Sequence, residues 1–101
     1  MTKLQLNIYV NEADMSGDLP LHELVVRRLL HLDIAGATVM RGLMGYGKHG
    51  KVHRKRLFGV SDDRPLVIIA IDTGERIRRV LPELKSLVKE GLITLHEVEV
   101  P

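Results

Sequence analysis

Apolar and polar residues alternate from Lys3 to Val10, with Leu4, Leu6, Ile8 and Val10 on one side and Lys3, Gln5, Asn7 and Tyr9 on the other. That period of two predicts a half-buried strand. Asn11 to Asp18 supplies turn formers, and Pro20 suits the first turn of a helix because its missing N–H has no partner to lose there. From there the period changes: Leu21, Leu24, Val25, Leu29 and Leu32 recur at three and four residues and leave Glu23, Arg27 and Arg28 outside. This helix is expected to end near Asp33, with Gly36 just beyond. Ala37 to Met44 reads as a second strand. After a turn at Ser61-Asp62-Asp63, the unbroken apolar run Leu66 to Ile71 predicts a strand covered on both faces. Thr73 is placed to cap a second helix, whose inward stripe is Ile77, Val80, Leu81, Leu84, Leu87 and Val88. Pro82 within that stripe predicts a kink or a late helix start. Glu90-Gly91 closes the helix, and Leu92 to Val100 is the last strand.

The order β-α-β, loop, β-α-β predicts an α+β fold of the ferredoxin-like type, βαββαβ, with a four-stranded antiparallel sheet and two helices on one face. Residues 1–101 then form a single domain. In a lone copy the outward side chains of the third strand would make an apolar patch that soluble monomers seldom expose. A closed homo-oligomer burying sheet against sheet removes it.

Composition adds two constraints. One Phe, two Tyr and no Trp require an aliphatic core, and the absence of cysteine excludes disulfides, thiolate metal sites and a cysteine nucleophile. No leader-like or membrane-spanning stretch is evident, so a cytoplasmic protein is expected.

Charge changes the picture more. Lys48, Lys51, Arg54, Lys55 and Arg56 place five of the fifteen basic residues in nine positions that hold no acid. The remainder carries ten basic against thirteen acidic residues, so the overall +2 conceals one cationic loop, at about 45–60, on a mildly acidic body. Gly42, Gly45, Gly47 and Gly50 punctuate its approach and its course. Glycine backbone N–H groups can receive an anion, and nearby Lys and Arg add charge-assisted bonds. A flexible, solvated basic loop is the plainer alternative.

Other candidates carry less. His49 and His53 lie four apart, but the surrounding glycines oppose a helix and no carboxylate or cysteine completes a set, so no metal site is expected. His22, His31 and His96 are scattered singly and read as surface or helix-end residues. Glu12, Asp14 and Asp18 lack calcium-loop spacing and read as a solvated turn. Asp62-Asp63 reads as a turn rather than an acid/base pair, and Ser16, Ser61 and Ser86 sit in no nucleophile context. There is no catalytic constellation, and the chain is not expected to be an enzyme.

The run Gly36-Ala37-Thr38-Val39, then Arg41-Gly42, Gly45-Tyr46-Gly47, His53, Leu57, Asp62 and the LVIIAIDT strand resembles the PII-like proteins of domain-of-unknown-function family 190. The resemblance extends to the tail Lys89 to Leu95. It implies a homotrimer like that of PII signalling proteins, with a mobile loop between the second and third strands. By likeness to PII proper, the ligand-binding positions are Thr38, Gly45, Tyr46, Gly47, Lys48 and His49. Lys51, His53, Arg54, Lys55 and Arg56 are the partner-binding part of the loop. Two departures from PII stand: the Thr38 to Gly45 segment is one residue longer, and Gly91-Leu92-Ile93 passes straight into strand without a second glycine-rich loop.

The function implied is regulatory signalling: a small anionic effector, an adenine nucleotide among the candidates, binds at subunit clefts and reorders the basic loop, which docks on a target. A membrane transporter or channel is the target class the family suggests, and no permanent cofactor is implied. The alternative is a divalent-metal-responsive trimer resembling the divalent-cation-tolerance proteins. Nucleic acid is not an expected partner, because Tyr9, Tyr46 and Phe58 are too few for a stacking surface on a sheet expected to be covered.

Overall fold

A computed structural model of the chain describes residues 1–47, the backbone of residues 53–54, and residues 63–101. The first strand, β1, runs Thr2–Asn11, and its alternation is kept: Leu4, Leu6, Ile8 and Val10 are buried. The turn region holds structure that its polar composition hides. Met15–Ser16 (β2) and Leu19–Pro20 (β3) pair as a small hairpin across Gly17, whose φ of 61° is a conformation glycine adopts without cost. Pro20 therefore stands just before α1 (Leu21–His31) rather than in its first turn. The exposed first N–H of that helix is met instead by the Asp14 carbonyl, 2.8 Å from Leu21 N.

Helix α1 buries Leu21, Val25 and Leu29, with Val26 and Leu32 packed at the margin of the core. It ends next to Asp33, as expected, and Gly36 lies beyond the cap. Asp33 takes φ 63°, Asp33 N reaches the Leu30 carbonyl at 3.1 Å, and Ile34 N reaches the Leu29 carbonyl at 3.0 Å. These two bonds form a Schellman cap in which Ile34 folds back into the core, with an aspartate where glycine is usual.

The predicted second strand is interrupted. β4 covers Ala37–Arg41 and β5 covers Met44–Gly45, the break falling at Gly42. Gly42 N donates to the Pro65 carbonyl at 2.7 Å, and a Cβ on Gly42 would lie 2.9 Å from the Pro65 ring, so the chain turns there against the start of the next strand. β6 (His53–Arg54) pairs antiparallel with β5, Met44 opposite Arg54 and Gly45 opposite His53.

β7 spans Pro65–Asp72. Leu66, Ile68 and Ala70 are buried toward the helices, while Val67, Ile69 and Ile71 are half-buried on the other side. The second helix, α2 (Gly74–Leu87), begins where the Thr73 hydroxyl accepts from Arg76 N at 3.2 Å. Pro82 lies inside this helix and does not delay its start. Arg78 and Pro82 are both exposed, so water can serve the Arg78 carbonyl that the proline leaves without a helical donor. β8 (Leu92–Glu99) completes the sheet.

Its order is β4-β7-β1-β8, all antiparallel, which is the ferredoxin-like arrangement. Both helices lie on one face: Val25, Leu29, Ile77, Val80 and Leu84 form one aliphatic core with Leu6, Ile8 and Ile68. Arg28 on α1 and Glu83 on α2 join the helices by a two-pronged pair of 2.6 and 2.9 Å. Their hydrogen bond, despite some desolvation, raises the guanidinium pKa and lowers that of the carboxyl.

Candidate functional site

Register fixes what the other face of the sheet carries. Directly opposed residues share a face, so the side away from the helices presents Lys3, Gln5, Asn7 and Tyr9 of β1 and Val67, Ile69 and Ile71 of β7. Thr38 and Met40 of β4 and Leu92, Thr94, His96 and Val98 of β8 complete it. One end of this face is apolar, with Tyr9 45%, Met40 53% and Leu92 59% exposed around Val67 and Ile69. The other end is polar, with Asn7 at the centre of a network. Gln5 Nε2 donates to Asn7 Oδ1 at 2.9 Å, and Asn7 Nδ2 lies 3.2 Å from Thr94 Oγ1 and 3.3 Å from His96 Nδ1. Neighbouring side chains leave Asn7 only 7% exposed, although it points away from the core.

The expected ligand-binding residues follow from the same strands. Thr38 sits on the open face of β4, opposite Ile69. Gly45 lies in the β5–β6 ribbon, and Tyr46, 76% exposed, and Gly47 follow at its outer end. Among the described residues nothing lies within 4 Å of a Cβ placed on Gly47. Lys48, His49, Lys51, Lys55 and Arg56 lie outside the described residues, and of His53 and Arg54 only the backbone pairing in β6 is described.

The ribbon is anchored from the helix side of the sheet. Arg41, the last residue of β4, pairs with Glu12, which leaves the end of β1. Glu12 N donates to the Arg64 carbonyl at 2.8 Å, Ala13 N to Asp63 Oδ1 at 3.2 Å, and Asn11 N to Asp14 Oδ2 at 2.9 Å. Glu12 and Asp63, read from the sequence as members of solvated turns, thus tie the 11–14 segment to the strands that carry the ribbon, and Asp14 closes the turn within it. The cause is register: the ends of β1, β4 and β7 meet at this corner, and the acids sit among backbone N–H groups and a guanidinium.

Asp72 holds the other end of β4 and carries no sequence signal beyond following an apolar run. It is 3% exposed and accepts from Thr73 N at 2.7 Å and Ala35 N at 2.9 Å, with the Arg76 guanidinium 3.8 Å away. Burial alone would push this carboxyl up. The two backbone donors, with Arg76 and Lys3, outweigh it and hold the pKa below the ordinary carboxylate value. By fixing Ala35, Asp72 sets where β4 and its Thr38 begin. Among the described residues no cluster of three or more His, Cys, Asp or Glu is arranged to hold a metal ion, and no helix is long and apolar enough to cross a membrane.

Residues 3–100 match the model of the DUF190 family, described as "Uncharacterized ACR". The chain belongs to this family. A UPF0166 protein of Aquifex aeolicus is 36% identical over 98 residues, which cover 97% of this chain and 92% of the relative. In fold the chain is similar to CPII, a nitrogen regulatory PII-like protein from Thiomonas intermedia solved with ADP, AMP and bicarbonate. The TM-score is 0.77 at 22% identity, covering 99% of this chain and 89% of that one. The divalent cation tolerance protein Cut A1 of Thermus thermophilus is similar at a TM-score of 0.62 and 16% identity, covering 99% of this chain and 84% of that one. The expected family and ferredoxin-like, PII-like fold are therefore established for this DUF190 member.

Proposed function

We propose that this DUF190 protein is a PII-like regulatory subunit, not an enzyme. It assembles as a homotrimer through the open faces of its sheets and takes a small anionic effector, an adenine nucleotide first among them, at the seams beside Thr38 and the Gly45-Tyr46-Gly47 ribbon. The basic segment that follows carries the signal to a target protein. The observation that bears most weight is the open face. Tyr9, Met40 and Leu92 form an exposed apolar cluster continuous with half-buried Val67 and Ile69, and β4, which contributes to that cluster, runs directly into the ribbon. The likeness to a PII-like protein solved with ADP, AMP and bicarbonate supports the choice of ligand class.

The test is a thermal-shift panel of adenine nucleotides, cyclic nucleotides, polyphosphate, bicarbonate and divalent metals, run beside light scattering. A ligand at a hundred times its dissociation constant adds about 2.7 kcal/mol, and each kcal/mol moves the melting point of a domain this size by about 4–8 °C. ADP or AMP should raise the curve, and Lys48→Ala with Tyr46→Ala should reduce the rise. A second reading, a divalent-metal-responsive trimer, rests on the likeness to Cut A1. It prevails if zinc or copper shifts the curve, His49→Ala or His53→Ala abolishes that shift, and every anion leaves the curve unmoved.

A further inference from the structure

We propose that His96 makes the assembly of subunits pH-sensitive, its neutral form being the one that assembles; this rests on the reading that the open sheet faces pack together. The argument starts from Asn7. Its amide nitrogen has two hydrogens and no lone pair to offer, and it faces two groups, Thr94 Oγ1 at 3.2 Å and His96 Nδ1 at 3.3 Å. Its amide oxygen is occupied by Gln5 Nε2 at 2.9 Å. With that orientation His96 Nδ1 accepts, and the ring proton sits on Nε2. Asn7 is then satisfied within one chain, so a second copy can cover it without leaving its amide unmet.

Protonating the ring sets an N–H against the Asn7 amide hydrogens and breaks the network at its centre. Among the described strand residues of this face no acid answers the new charge. From β1 the facing groups are Gln5, Asn7 and Lys3, the last a cation one row away opposite Val98. From β7 the same face presents Val67, Ile69 and Ile71, and from β8 itself Thr94 and Val98. Glu97 and Glu99 belong to the opposite face, being opposed to Leu4 and Thr2. Among the described residues of these strands the open face holds no carboxylate. In the separate subunit His96 is exposed, so water stabilises the charged ring; beneath a second copy the same charge is stripped of water and unpaired.

The experiment is sedimentation velocity with light scattering from about pH 8 to about pH 5. It compares the wild type with His96→Gln and His96→Asn, which stay neutral throughout, and His96→Lys, which stays charged, with circular dichroism reporting fold. The expected result is a wild type whose half-assembly concentration rises about tenfold or more on acidification. At least one neutral variant should stay assembled at both ends, and His96→Lys should remain folded but weakly assembled at about pH 8. Wild-type assembly that is the same at both ends overturns the switch and leaves the oligomer standing; it would mean that the Asn7 amide is reversed and the ring donates. Equal weakening of the wild type and both neutral variants also overturns it, by assigning the effect to another group. A monomer at about pH 8 overturns the packing of open faces, and the switch with it.

Discussion

Removing the Asp72 carboxylate tests how the start of β4 is held. In Asp72→Asn one of the two oxygens becomes an NH2 group, so either Ala35 N or Thr73 N loses its acceptor, and the attraction to Arg76 goes with the charge. A buried donor left unmet costs about 1–3 kcal/mol. Ala35 and Thr73 are exposed residues, so water recovers part of that cost and the lower end applies, about 1–2 kcal/mol. Asp72→Ala frees both donors and should cost about twice as much. The pH dependence has a definite sign. A carboxyl whose folded-state pKa is depressed contributes stability that is fully present above its unfolded value and is lost as pH falls through the folded value. For Asp72 the ordinary value is 3.8 and the folded one lies below it. Urea denaturation of wild type and Asp72→Asn should therefore differ by the full amount at about pH 7 and draw together below about pH 4. A gap that stays constant into acid would show that the charge contributes nothing. No gap at about pH 7 would refute the latch itself.

Two further substitutions probe backbone positions. In Gly91→Ala the new Cβ collides with the Tyr9 carbonyl oxygen and comes within 2.6 Å of Val88 Cγ1, so β8 or the end of α2 must shift. A loss of about 1–3 kcal/mol in urea denaturation is expected, and a loss below about 0.5 kcal/mol would contradict this packing. Asp33→Gly should stabilise the chain by a few tenths of a kcal/mol, because glycine adopts φ 63° without a Cβ penalty but gives back part of the gain through greater freedom when unfolded. A lower melting point in the variant would mean that the aspartate side chain contributes more to the cap than its backbone costs.

The parts of the fold legible in the sequence are those governed by local periodicity. Leu4 to Val10 alternates because one face of β1 is core, Leu66 to Ile71 is continuous because its second face is also half-covered, and Thr73 caps because its hydroxyl lies three residues before Arg76 N. What escaped prediction depends on contacts between distant segments or on backbone geometry. Gly42 breaks the second strand because Pro65 packs there, a neighbour that only the β4–β7 register supplies. The end of α1 near Asp33 is legible, but not that Asp33 itself takes the conformation more often given to glycine. Glu12 finds Arg41, and Asn7 finds His96 across 89 positions, so neither pairing leaves a trace in spacing. Thr38 and the Gly45-Tyr46-Gly47 group were singled out by resemblance; their positions on one strand and the ribbon that continues it emerge only once the sheet is assembled.

That continuity limits how a signal could pass. Thr38 and Met40 lie on the face proposed to meet a second copy, and two residues after Met40 the chain turns at Gly42 against Pro65 into the ribbon. Arg41, between them, is held by Glu12 on the opposite side of the sheet. A ligand at the proposed seam, touching Thr38 and Tyr46, would contact a paired strand and the stem of the basic segment, and it could bias that stem only by fitting one of its arrangements better than another. Moving a stem from 1:99 to 99:1 requires about 10⁴-fold preference, about 5.5 kcal/mol, close to what two charge-assisted hydrogen bonds contribute at the upper end of their range. A small anion met by Lys48 and backbone N–H groups can supply bonds of that kind. A neutral ligand resting on the apolar end of the face would have fewer charge-assisted bonds available for the same discrimination, which is why the anionic class takes precedence for this site.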